Sequence, residues 1–448
     1  MIDLVKRKFQ NLISDKKFSE ILTGSSWALS AHVISAGLGL VFSIIIARAY
    51  GAEVLGIVAV LNSFLTVATI FTVLGTGTSI LRLIPEHLVK YSPTSAFKVY
   101  RKTQYFVAGI SVLTGSLLFF ASGFIAETVF SKLHLRFYFA LAAVFIVFMS
   151  ITQLNTQAVR GLRLIRVFSF MQLLPSLSKL LILIPVTIFF FHRDNPIYAM
   201  FASMTVTALA GALIMDRAFK VKTGPNDIVH HMPLENILAI SLPMILTSTM
   251  TFVIGQTGVI MLGIFRTEAE VGYYSVAVSL ASLTSFVLAA INSMAAPKFS
   301  ELYHGGKMDE LFYIAQKSAK LIFWTTAPIL AGLVVLGKPI LNLFFGPEFT
   351  TTYLAMMLLV IGQFVNSICG STGYFMNMTG EHKVFRNIIF GAAIISVGLG
   401  LVLIPSFGIN GAAFTGMISL VFWNIATFLY IKQKYGKSIG YVPYFMLQ

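Results

Sequence analysis

Apolar residues occur in runs of about twenty, separated by short polar, charged or Gly/Pro-containing breaks. A first set falls at 22–46, 54–77, 104–130, 137–158, 168–191 and 196–215, and a second at 238–264, 271–295, 320–345, 352–377, 387–405 and 410–431. Roughly twenty residues of helix cross the hydrocarbon of a bilayer. Lipid offers backbone N–H and C=O groups no partner, so each run is predicted to be a helix that satisfies its own backbone. The pattern therefore predicts an all-α membrane protein of about twelve transmembrane helices.

Composition agrees: 57% hydrophobic and 11% charged residues are more apolar than a soluble core requires. The net charge of +15 could suggest a polyanionic partner. Its distribution explains it otherwise. With the N-terminus inside, only Arg48, Lys132, Arg136, Arg193, Arg266 and Lys338 of the 32 basic residues face out. Lys179 falls within the fifth run, and the rest lie on the inner side, including Arg82 to Lys102, Arg160 to Arg166, Arg217 to Lys222 and Lys432 to Lys437. This is the positive-inside pattern, so the basic charge reports topology and no nucleic-acid partner is expected. Both termini are predicted to be cytoplasmic in a multi-pass protein of the cytoplasmic (inner) membrane. The basic residues Lys6, Arg7, Lys8, Lys16 and Lys17 precede a full-length run, which reads as a retained first helix rather than a removed signal. The single cysteine, Cys369, sits in an apolar run and is expected to pack; a disulfide within the chain is excluded.

The two sets of six resemble each other. Leu183-Ile184-Pro185 returns as Leu403-Ile404-Pro405, and Ala199-x-Phe201-x-x-Met204 returns as Ala412-x-Phe414-x-x-Met417. Charged amphipathic segments starting at Pro85 and Pro297 follow the second and eighth runs. Six is even, so both halves enter from one side and should be related by an axis along the membrane normal. Chance similarity between apolar helices is the alternative. The predicted organisation is a cytoplasmic segment 1–20, a six-helix lobe 21–217, a linker 218–236, a second lobe 237–432 and a tail 433–448.

No metal cluster, nucleophile–base pair or phosphate loop stands out, so neither catalysis nor a cofactor is expected. Polarity inside the runs is the informative feature, because a charge at mid-bilayer costs about 2.5–3.5 kcal/mol even on insertion scales. Lys179 lies about 18 Å from the end of its run at 1.5 Å per residue. Its stem, roughly 6 Å long, cannot snorkel to the interface from there. Ser169, Gln172, Ser176 and Lys179 share one helical face, which suits a water-filled cavity or a lysine paired within the bundle. His32 lies mid-way along the first run, with Ser25, Ser35, Gly39 and Ser43 near the same face; it suits a packing histidine or a cavity residue. Further polar stripes are Asn62, Thr66 and Thr69; Ser282, Ser285 and Asn292; and Gln363, Asn366, Gly370, Gly373 and Asn377. Each stripe fits either a helix interface or a cavity wall, and several together favour a hydrophilic interior. Gln256 joins the candidates by its mid-membrane position. Pro175, Pro185, Pro243 and Pro328 are either hinges or static bends.

The stretch Ala47-Arg48-Ala49-Tyr50-Gly51-Ala52-Glu53-Val54-Leu55-Gly56 resembles the Arg-x-x-Gly-x-x-x-x-Gly junction of Wzx-type polysaccharide flippases. Phe344-Phe345-Gly346-Pro347-Glu348-Phe349 is similar to that family's ninth-span exit. Leu403-Ile404-Pro405-Ser406-Phe407-Gly408-Ile409-Asn410-Gly411-Ala412-Ala413 is similar to its final hairpin. The resemblance implies a MATE-like fold of two six-helix lobes around a central cavity. It also implies translocation of a polyprenyl-diphosphate-linked oligosaccharide for surface polysaccharide biosynthesis, with membrane lipids and polysaccharide polymerase machinery as partners. A cationic cavity suits the diphosphate, which makes Lys179 the first candidate and Arg82, at the inner mouth, the second. Asn62, Asn292, Gln363 and Asn366 are then candidates for sugar contacts. The dense cavity arginines and two additional helices of the peptidoglycan lipid II flippase have no counterpart here.

Two other readings remain at the level of sequence. A cation-coupled drug exporter of the MATE type generally wants an acidic residue inside a lobe, but Asp216 and Glu127 sit at run ends and the first run has none. A membrane-embedded sugar polymerase or ligase usually carries a long outer loop, and the outer loops here are short.

Overall fold

The computed structural model describes residues 16–220 and 232–441. Lys6, Arg7 and Lys8, Lys222 and much of the linker, and the end of the tail lie outside them, as do the side chains of Lys16, Lys17, Ser25 and Pro243. Among the described residues every regular element is helical. In chain order these are α1 (Lys16–Val73), α2 (Thr76–Lys90), α3 (Pro93–Phe120), α4 (Arg136–Gly161), α5 (Ile165–Phe189), α6 (Asn195–Lys220) and α7 (Leu234–Phe265). Then follow α8 (Glu268–Ala281), α9 (Leu283–His304), α10 (Met308–Ile340), α11 (Tyr353–Cys369), α12 (Thr372–Met378) and α13 (His382–Tyr435).

Nine stretches of the described residues are long and apolar enough to cross a membrane. The first two predicted runs are the arms of α1, and the last two are the arms of α13, each pair separated by one glycine. Gly51 (φ 84°) and Gly408 (φ 53°) adopt backbone that L side chains avoid, which is why the helix breaks there and not at a neighbour. At Gly408 the chain doubles back: Gly411 packs against the carbonyl of Leu403, whereas residues eight apart in one straight helix stand about 12 Å apart.

Several helices outrun their apolar runs. α3 begins at Pro93, capped by Ser92, whose Oγ accepts from the Ser95 N–H at 3.1 Å, and α10 begins at Met308 with Asp309 and Glu310 in its first turn. Hydropathy locates only the part within lipid, while capping and the helix dipole extend the helix into the polar margin. Pro85 and Pro297, expected to lead their segments, lie inside α2 and α9. Leu74 and Gly75, both at positive φ, set the start of α2 instead.

The core has an unequal distribution. At the end carrying Gly51 and Gly408, one continuous cluster joins both halves of the chain, from Ile46, Phe139 and Leu183 to Tyr274, Leu333 and Ile404. At the opposite end there are two clusters. One holds Leu83, Tyr100, Leu154 and Phe219 of the first half, joined by Ile237 from α7. The other holds Phe299, Phe312, Phe375 and Ile431 of the second half. The halves are therefore packed together at the Gly51 end and hold separate cores at the other. Exposed Phe120, Leu181, Phe190, Val335 and Val402 give the outer surface the apolar character that lipid requires.

Candidate functional site

A cavity of about 240 Å³ has a wall that comes from both halves of the chain. The first half supplies Thr69 and Val73 of α1, Gly77 and Thr78 at the start of α2, and Gln153, Gln157 and Arg160 of α4; the second half supplies Ile245 and Phe252 of α7. Spacings of four and three put Gln153, Gln157 and Arg160 on one face of α4. Gly77 brings the first turn of α2 against Gln157, since a methyl group on it would stand 3.6 Å from the Gln157 Cγ. α7 is held against α2 by the hydroxyls of Ser79 and Ser241, 2.6 Å apart and buried. The Arg160 guanidinium lies over the Phe168 ring, 5.6 Å from its centroid, and no carboxylate pairs with it among the described residues. The lining carries donors and amides but no acidic side chain, so the space suits an anion or a hydroxyl-rich group.

The eight residues singled out by sequence lie elsewhere, and none of them lines this cavity. Lys179 is half-buried in α5 against the first arm of α1, its Nζ 5.8 Å from the centre of the Phe42 ring. It has no carboxylate partner among the described residues. Its stripe is engaged by the same arm: Ser35 donates to the Gln172 carbonyl at 3.1 Å, and its Oγ lies 2.9 Å from that of Ser176. The hydroxyls of Tyr50 and Thr187 extend the contact at 2.7 Å. His32 meets Phe286 of α9 edge-on at 5.3 Å, a contact between the two halves. Arg82 is exposed and pairs with Glu86 at 3.9 Å. A hydrogen bond from Lys90, with Arg82 nearby, holds the Glu86 carboxyl below the usual carboxylate range.

Asn366 donates to the Gln363 Oε1 at 3.2 Å, so these two are brought together on α11. Asn292 and Asn366 each keep a buried side-chain oxygen without a protein donor. Asn62 and Gln256 are half-buried in α1 and α7. No hydrogen bond or ion pair among the described residues joins Lys179 to any of the other seven.

The Gly51 end is closed by polar contacts between the halves. Lys132, before α4, donates to the Arg266 carbonyl at 2.6 Å and pairs with Glu268 at 3.4 Å. His134 Nε2 lies 2.9 Å from the same carboxylate. Arg48, at the end of the first arm of α1, donates to the carbonyls of Asn342, Leu343 and Phe344 beyond α10. Within the second half, Arg266 donates to the carbonyls of Ile404 and Pro405, at 3.3 and 2.8 Å. These guanidinium groups satisfy carbonyls left free where helices end. In the sequence Arg160, Lys132 and Arg266 stand out only as topology-setting charges, and Arg48 also as part of the Arg-x-x-Gly junction. The spacing of Gln153, Gln157 and Arg160 was the available signal for the cavity. For Glu268 there was none, because its partner is over a hundred residues away.

Comparison with known proteins gives a consistent picture. A family model described as polysaccharide biosynthesis protein matches residues 21–303. The Haloferax volcanii protein named "Probable low-salt glycan biosynthesis flippase Agl15" is 22% identical over 247 residues, which cover 54% of this chain and 51% of that protein. The match thus spans about half the length of that relative. Among solved structures, the lipid II flippase MurJ in an inward closed conformation superposes with a TM-score of 0.73 at 13% identity, covering 90% of this chain and 86% of that one. An inward-facing multidrug resistance MATE family transporter superposes with a TM-score of 0.68 at 16% identity, covering 92% and 98%. The fold is MATE-like.

Proposed function

The chain belongs to the polysaccharide biosynthesis protein family, and on that premise we propose that it is a flippase for a polyprenyl-diphosphate-linked oligosaccharide, working by alternating access in the cytoplasmic membrane. The observation that carries the reading is the unequal core: one cluster shared by both halves at the Gly51 end and two separate clusters at the other, with a partly polar cavity walled by residues of both halves. Sealing at one end with separation at the other is what a carrier needs in one of its two states. The saccharide crosses between the halves while the polyprenyl tail stays in lipid. Positive-inside charge supports the sealed end as the outer one, and so supports a state open to the cytoplasm. Lys179 supplies a cation within the first half for the diphosphate, and Asn62, Asn292, Gln363 and Asn366 offer amides to sugar hydroxyls. Membrane lipids surround the protein, and polymerase machinery on the outer face receives the product.

A deletion strain tests the reading. Lipid-linked repeat units should accumulate unpolymerised in the cytoplasmic leaflet. Accumulation in the outer leaflet would instead indicate a polymerase, and loss of ethidium resistance a drug exporter.

A further inference from the structure

We infer that residues 437–441, which follow α13, are a latch on a two-setting joint between α11 and α12, and that the docked strap selects the bent setting. The apolar run at 352–377 reads as one helix and contains no proline, yet the chain breaks within it. α11 ends at Cys369, Gly370 turns at φ 71° and ψ −138°, where L side chains rarely go, and α12 starts at Thr372. In an unbroken helix the Ile368 carbonyl would accept the Thr372 N–H. Here it accepts the Tyr441 N–H instead, at 2.9 Å. One carbonyl thus has two alternative donors, and they belong to two different shapes of the chain.

Every residue of the strap is engaged. Gly436, at φ 69°, ends α13. Lys437 then pairs with Asp309 of α10, the Ser438 carbonyl accepts from Gln316 at 2.8 Å, and Ile439, 1% exposed, enters the core cluster of Phe299, Phe312 and Phe375. A methyl group on Gly440 would stand 2.8 Å from the Ile368 carbonyl oxygen, so glycine lets the strap come this near. Tyr441 lies against Phe323, ring centres 5.6 Å apart, and its hydroxyl accepts from the Trp324 Nε1–H at 3.3 Å.

The joint itself holds the reason for a second setting. Ser371 and Thr372 are buried, and neither side-chain oxygen has a protein partner. In a continuous helix such hydroxyls can bond the carbonyl four residues back, so straightening would satisfy what the bend leaves unsatisfied. Docking of the strap offsets that cost. Gly370 is also backed by α10, since a methyl group on it would stand 2.6 Å from the Ala319 Cβ. α12 in turn holds Phe375 against Phe299 of α9, ring centres 5.8 Å apart, so the joint bears on the helix whose Phe286 meets His32 of the first half.

The test uses the full chain in phosphatidylcholine nanodiscs, with a nitroxide on Lys437→Cys in a Cys369→Ala background, where label mobility reports undocking of the strap. Gly370→Ala combined with Ala319→Gly moves one methyl group from α10 to the joint and favours the continuous helix. It should raise the mobile fraction about tenfold with the unfolding temperature retained. Coupling is reciprocal, so in the unlabelled chain Ile439→Ser should increase hydrogen-exchange protection of the 370–374 amides as helix forms there. Ile439→Leu should leave protection at the parent level. A label that stays immobile in the folded methyl-transfer variant overturns the latch. Unchanged or reduced protection at 370–374 in Ile439→Ser also overturns it, because a strap that merely braces the fold would give that result.

Discussion

Gly56 and Gly272 cross in direct backbone contact, each lying against the carbonyl four residues before the other. A methyl group on Gly56 would overlap the Glu268 carbonyl oxygen, and one on Gly272 would overlap that of Ala52. Such reciprocity is what a two-fold axis between the second arm of α1 and α8 produces. Small residues let helix backbones approach closely in lipid, where hydrophobic attraction between helices is absent. The crossing sits within the shared core and beside Glu268, so apolar packing and the Lys132–Glu268 pair close the same end of the molecule.

Enlarging either glycine should open that end. Gly56→Leu is expected to convert the population from closed to open there. Spin labels at Leu133 and Leu343, in a Cys369→Ala background, would report a longer distance than in the parent. An unchanged distance distribution in a folded variant would deny the crossing its role.

The Lys132–Glu268 pair should contribute to the same equilibrium. The two side chains are only 14% and 11% exposed, so removing one partner leaves the other charge buried and costs more than breaking a surface ion pair. Glu268→Gln should raise the open population about tenfold, or about 1.4 kcal/mol. Combined with Lys132→Met it should show a coupling of about 1–2 kcal/mol in a double-mutant cycle read by the same labels. Additivity within about 0.3 kcal/mol would mean the pair does not hold the halves together.

Lys179 should matter to transport and not to folding. Lys179→Gln is expected to abolish export of the finished polymer while the protein accumulates in the membrane at normal levels. Normal export in that variant would refute the role.

Within the first half, Tyr100 donates to the Asn155 Oδ1 at 2.8 Å, and both residues are fully buried. The Asn155 Nδ2 already lacks a protein partner. Tyr100→Phe leaves the oxygen unsatisfied too and should cost about 1–3 kcal/mol, seen as a lowered unfolding temperature in detergent. An unchanged midpoint would mean that water replaces the hydroxyl.

The fold was largely legible because lipid makes hydropathy a direct report of helices, and because Gly51 and Gly408 stand between apolar runs where the helices break. Helix ends were less so: the polar first turns of α3 and α10 carry no hydropathy signal. The site was least legible. A stripe such as Ser169, Gln172, Ser176 and Lys179 looks the same whether it faces water or, as Ser176 does here with Ser35, another helix's hydroxyl. Arg160 and Glu268 acquire meaning only from α2 and from Lys132, which sequence distance conceals.

Locking the sealed end tests alternation most directly. In a Cys369→Ala background, Lys132→Cys and Glu268→Cys can be bridged by a thiol-cleavable bis-maleimide, and flipping of a fluorescent polyprenyl-diphosphate-linked oligosaccharide followed in proteoliposomes. The account predicts that bridging stops flipping, that cleavage restores it, and that the reagent leaves each single-cysteine variant active. Flipping at an undiminished rate with the bridge in place would contradict it.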